Sequence, residues 1–167
     1  MSRPAAPAAD RGATLAAIAS WVAVAVGAAI GTSARFGLDL LLPHALDAVP
    51  WSTILANTLG AFALGVLTAA TWSSAAPWVR AGLGAGVLGS FTTFSSIMIA
   101  VVATTQGGPL AHGPGSVEPG SLAQAAGVLI GSVFAGLLAA LVGILLGRRI
   151  ARARLIPRAP VREEDEA

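Results

Sequence analysis

Residues Gly89-Ser90-Phe91-Thr92-Thr93-Phe94-Ser95-Ser96 place a hydroxyl-rich patch midway along an apolar run, 79–104. That run is long enough to cross a bilayer, because about 20 residues at 1.5 Å each span a hydrocarbon core of roughly 30 Å. Hydrocarbon offers no water to hydroxyls or to broken backbone bonds. Irregular polar backbone at membrane depth is therefore tolerated only where protein buries it or an aqueous path touches it. The patch is a candidate ion or substrate site.

Working outward, three further apolar stretches of spanning length lie at 15–42, 51–72 and 122–146. The 167 residues are 55% hydrophobic and 11% charged, a balance far from that of a soluble protein and a length suited to one domain. The reading is an all-α membrane protein with four transmembrane helices, the third broken near its middle. Residues 1–13 form a Pro/Ala-rich tail expected to be disordered, 14–147 the four-helix domain, and 148–167 a charged cytoplasmic tail. Ala23-Val24-Ala25 looks like a signal cleavage site, but the apolar run continues toward Arg35, so the first helix is expected to be retained. Trp51 and Trp72 suit the headgroup level. The short link 73–78 is expected to return helix 3 beside helix 2. Gly82, Gly84, Gly86 and Gly89 allow a close backbone approach or a break, and Gly127/Gly131 and Gly143/Gly147 have the spacing of close-packed membrane helices. The loop at 107–120 carries no spanning pattern.

Several chemistries are excluded. There are no cysteines, and His44 and His112 stand alone in predicted loops. Every basic side chain is Arg, so no Gly-Lys nucleotide motif exists. No buried acid–base pair or nucleophile–base set appears, so neither an enzyme nor a nucleic-acid partner is expected. Orientation follows from arginine. With four spans, Arg3, Arg11, Arg80, Arg148, Arg149, Arg152, Arg154, Arg158 and Arg162 share one side, leaving Arg35 alone on the other, with Asp39, Asp47 and Glu118. The positive-inside rule puts both termini in the cytoplasm.

The pattern Gly27-(x)3-Gly31-(x)3-Arg35-Phe36, then Thr53-(x)3-Asn57-(x)2-Gly60-(x)-Phe62-(x)2-Gly65, then the helix 3 string from Gly89 to Ser96, resembles the bacterial Fluc (CrcB-type) fluoride channels across roughly residues 20–147. The resemblance implies a dual-pore dimer of antiparallel subunits that exports F⁻ passively across the bacterial plasma membrane and relieves fluoride toxicity. It also implies a structural, untransported Na⁺ held by backbone carbonyls, here Gly89 and Thr92. Carbonyl oxygens suit a hard cation, and a helix break frees carbonyls that an intact helix uses internally. Gly89 would supply backbone freedom. The alternative is a kink sealed by Ser and Thr hydroxyls without an ion.

For the anion, the resemblance implies a pore offering the Asn57 amide, the hydroxyls of Thr93, Ser95, Ser96 and Ser132, and the positive ring edge of Phe94. An Asn in an apolar helix either glues two helices or lines a pore, and the resemblance favours the pore. Arg35 matches the family's helix 1 arginine, either concentrating anions at a vestibule or snorkelling as an interfacial anchor. Ile97 replaces a second pore phenylalanine, Ala100 a common glutamate and Val128 a tyrosine. These losses and the one-sided arginines suggest a chain that pairs with an oppositely oriented paralogue, while pairing with itself stays open if the basic tail does not dictate topology. A small four-helix drug/proton antiporter would need an intramembrane carboxylate, for which Asp39 is the one candidate and equally an i,i+4 partner of Arg35. A scaffold subunit is the remaining alternative.

Overall fold

The computed structural model describes residues 11–43, 49–105 and 119–155, and among them there is no strand. Helix α1 covers Arg11–Leu41 and α2 covers Trp51–Ala70. Helix α3, residues 77–91, opens as Pro77–Arg80, widens to π-helical winding over Ala81–Leu88 and closes as Gly89–Phe91. After 92–94, α4 covers Ser95–Thr105, and α5 covers Pro119–Leu155. Four segments are long and apolar enough to cross a membrane: Arg11–Leu41, Trp51–Ala70, Pro77–Ile99 and Ala123–Arg154.

The ends of these helices differ from the hydropathy boundaries for local reasons. α1 starts at Arg11, inside the segment assigned to the tail. α5 starts at Pro119 and runs to Leu155 rather than stopping near 147. Pro fits a first helical turn, where its missing N–H has no helical partner anyway. Beyond Gly147 the Arg- and Ala-rich sequence has high helix propensity whether or not lipid surrounds it. α2 ends at Ala70, so Trp72 lies in the following turn with its ring against Gly84, while Trp51 is exposed. Residues 1–10, the stretches with His44, Asp47 and His112, and the acidic end at 163–166 lie outside the described residues.

Packing corrects one expectation. α3 does not run beside α2; it packs on α1, and α2 packs on α5, with α2 and α3 touching only sparingly. Association in lipid relies on van der Waals fit, so backbones close up where side chains are smallest. A Cβ on Gly27 would strike the Gly82 carbonyl and come within 3.1 Å of Gly86 Cα; one on Gly31 would strike Val87 O and Ser90 Oγ. In the second pair, Gly143 faces the Phe62 carbonyl and Gly65 the Ala140 carbonyl, while a Cβ on Gly147 would lie 2.6 Å from Val66 O. Gly127 and Gly131, at the same spacing, meet nothing within 4 Å, so only the 143/147 pair packs within the chain. Burial is inverted relative to a soluble protein: Ser52, Thr53 and Ser132 are buried, while Trp21, Phe36, Leu41 and Phe134 face outward.

Gly143→Val is expected to destabilise the chain by about 1–3 kcal/mol or more through overpacking against the α2 backbone. Gly37→Ala, where nothing lies within 4 Å, is expected to be neutral or stabilising by up to about 1 kcal/mol. Thermal unfolding in detergent checks both.

Candidate functional site

The helical ladder of the third span stops at Phe91, and Thr92 turns extended with φ −87° and ψ 152°. Its own amide and hydroxyl still point back, donating to the Leu88 carbonyl at 3.0 and 2.9 Å. At Thr93 the pattern changes. Its N–H donates to Asn57 Oδ1 at 2.8 Å, and its carbonyl accepts from Asn57 Nδ2 at 2.8 Å. In an unbroken helix the Thr93 N–H would pair with the Gly89 carbonyl four residues earlier. Gly89 O is thereby left without its helical donor. A new helix begins just beyond, where Met98 N–H donates to Phe94 O at 3.1 Å.

Arg35 joins both sides of this gap. Its Nη1 donates to Phe91 O, the last carbonyl before the break, at 3.4 Å. Its Nη2 reaches Ser96 Oγ in the first turn of α4 at 3.0 Å and Thr53 Oγ1 of α2 at 3.3 Å. Its Nε sits 3.9 Å from Asp39 Oδ2, one turn on in α1. The guanidinium's fixed fork of five donors suits a junction of three elements. A positive group beside the carbonyl end of α3 also complements the helix dipole. The side chain is 15% exposed, so Arg35 lies inward among these partners within the chain. Ser90 Oγ adds a second tie, within 3.1 Å of Ala28 O on α1 and 2.7 Å of Gly86 O on its own helix.

Beside the break lies a groove of about 470 Å³, open along one side and mostly apolar. Asn57, Gly89, Thr92, Phe94 and Ser132 meet there, together with Ile97. Phe94 is 61% exposed, and Ile97 is buried. Ser132 is buried too, with its hydroxyl donating to Leu129 O of its own helix at 2.9 Å. The other expected residues stand apart from the groove: the Thr93 and Ser95 hydroxyls bond each other at 2.8 Å, Ser95 being exposed, and Ser96 faces Arg35. Among the described residues no group of His, Asp or Glu is arranged to hold a metal.

Two residues at this site escaped selection as functional. Thr53, buried and accepting from Arg35, lies one turn before Asn57 on the same face of α2, and that spacing was the available signal. Gly60, a turn further on, makes room for the Thr92 side chain, whose methyl occupies the place of a Cβ. Gly89 is ordinary right-handed helix at φ −64° and ψ −34°, and a Cβ there would meet only Gly84 O at 3.5 Å. Neither backbone conformation nor crowding within one chain therefore calls for glycine at 89.

Residues 22–144 match the family model described as CrcB-like protein, Camphor Resistance. The chain is 39% identical over 120 residues to the fluoride-specific ion channel FluC of Rhodospirillum centenum, an alignment covering 70% of this chain and 90% of that protein. It is 36% identical over 122 residues to the protein of the same name from Thermus thermophilus, covering 70% and 98%. Fluoride-specific ion channel FluC 2 of Thermobifida fusca is 39% identical over 121 residues, covering 70% and 84%. With four spanning segments and a family match across all of them, the chain is a multi-pass membrane protein and belongs to the CrcB-like family.

Proposed function

We propose that this chain is a subunit of a fluoride channel, not an enzyme, letting F⁻ leave the bacterial cell passively across the plasma membrane. The observation that carries the reading is the groove where Asn57, Phe94 and the break at Thr92 converge beside an otherwise apolar wall. Fluoride is small and strongly hydrated, so a path must replace its water with donors. Asn57 Nδ2 has two hydrogens and gives one to Thr93, leaving one for an anion. The exposed Phe94 ring at the groove can add its positive edge. HF that enters an acid-stressed cell dissociates in the cytoplasm, and the ion then exits down its gradient.

Two features support a dimer with a structural sodium at its centre. The groove is open on one side, and the glycine at 89, unneeded within one chain, suits close approach by a second subunit. Gly89 O lacks its helical donor and Thr92 is extended, so these carbonyls are suitable ligands for a hard cation that stays in place. A drug/proton antiporter is disfavoured because Asp39, its one intramembrane carboxylate candidate, pairs with Arg35. A scaffold without a conduction path leaves the convergence on the groove unexplained.

The arginine asymmetry favours one refinement. Nine of the ten arginines fall on one side of a four-span topology, so a single sequence inserting both ways meets opposition. The partner is then an oppositely oriented paralogue, which also supplies groups missing at Ile97, Ala100 and Val128. Fluoride efflux from liposomes is expected from the co-expressed pair and to be weak from this chain alone. Robust flux from the chain alone would mean it assembles with itself.

In the conducting assembly, Asn57→Ala or Phe94→Ala is expected to lower fluoride efflux at least about tenfold, equivalent to about 1.4 kcal/mol on the barrier. Unchanged flux in both variants would remove the conduction reading. Arg35→Ala is expected to lower stability by at least about 2 kcal/mol, since its charged hydrogen bonds brace the break. An Arg35→Ala protein of full thermal stability but reduced, salt-sensitive flux would instead mark a vestibule charge.

A further inference from the structure

A primary amide presents one acceptor and one donor side by side, as a peptide group does. Asn57 uses this to take both backbone groups of one residue, the N–H and the C=O of Thr93, at 2.8 Å each. Those two groups are the ones a continuing helix would assign to Gly89 O behind and to the Ile97 N–H ahead. Asn57 is itself carried by α2, one uninterrupted helix over Trp51–Ala70 that packs closely on α5 through Gly65 and Gly143. The amide is thus presented from a helix other than the one that breaks.

The geometry points to Asn57 as a positioning residue that holds the third span open: by occupying the Thr93 N–H, it keeps Gly89 O free of the donor that would otherwise consume it. This rests on the reading of Gly89 as a cation ligand and adds its cause. Thr92 at ψ 152° is far from the helical value near −42°, so repairing the helix requires that torsion to rotate and Thr93 to leave Asn57. The acceptor atom Oδ1 carries this role, and the amide hydrogens carry the other contacts. The two are separable by substitution.

The test uses the purified full-length channel in detergent, with thermal unfolding in sodium chloride and in N-methylglucamine chloride of equal ionic strength. Site-resolved ¹³C shifts of the Gly89 carbonyl are measured in the same samples. Sodium is expected to raise the wild-type midpoint. Asn57→Leu is expected to lose that rise, with the Gly89 carbonyl moving to its hydrogen-bonded helical value. Asn57→Asp, which retains an acceptor, is expected to keep the rise, and its loss there counts against the assignment. The sharpest variant is Asn57→Leu combined with Thr93→Pro. Proline has no N–H to return to Gly89, and Thr92 already has the extended conformation required before proline, so sodium sensitivity is expected to reappear. Asn57→Leu with an undiminished sodium rise and an unmoved Gly89 carbonyl overturns the proposal. If sodium raises the midpoint of no protein, wild type included, the cation reading fails, and the Gly89 carbonyl shift in Asn57→Leu alone decides the role of Asn57.

Discussion

Interrupting a helix within hydrocarbon strands backbone N–H and C=O groups, and each one left unpaired costs several kcal/mol. Everything near residues 92–94 is arranged around that penalty. The Thr93 pair goes to the Asn57 amide, Phe91 O goes to Arg35, and Thr92 returns its N–H and hydroxyl to Leu88 O. Side chains from α1 and α2 thereby substitute for the missing turn. They come from two helices that barely contact one another. The break is where those helices are joined, and removing either polar group loosens the bundle as well as the site.

The remainder of the bundle holds through close backbone contact rather than buried bulk. Among the described residues the buried apolar side chains are few, Ala56, Ala125 and Ile97. Glycines at 27, 31, 65, 143 and 147 bring helix axes together where lipid supplies no hydrophobic drive. This divides the chain into two tight pairs, α1 with α3 and α2 with α5. The groove runs between α2, α3 and α5, so its polar atoms stand at a junction between pairs. Such a junction is a natural place for an ion path.

Hydropathy made the four spans legible because it sums over some twenty residues and tolerates local error. The hydroxyl patch from Gly89 to Ser96 likewise drew the eye to the stretch where the helix stops at Phe91. Neighbour choice was less visible. A pair of glycines four apart marks a face but not its partner, so 127/131 and 143/147 look alike in sequence although only the second pair packs within the chain. Arg35 and Asn57 were legible as polar residues in apolar surroundings. So was the Asp39 partner of Arg35, from its i,i+4 spacing. Their backbone partners, Phe91 O and the two groups of Thr93, were not, because carbonyls and amides belong to every residue and leave no signature in the side-chain pattern.

The wide winding of Ala81–Leu88 bears on the direction in which the break faces. Each π turn closes on the fifth residue instead of the fourth; Gly89 N–H, for example, reaches Gly84 O. One more residue is therefore accommodated per turn than in an α-helix, where losing a residue swings everything downstream by about 100°. Here rewinding the segment as α-helix would change the angle at which the Phe91–Thr92 corner meets its neighbours. The glycine-rich entry to the break is held in that winding by its close fit on α1, so it sets the rotation with which the corner is presented.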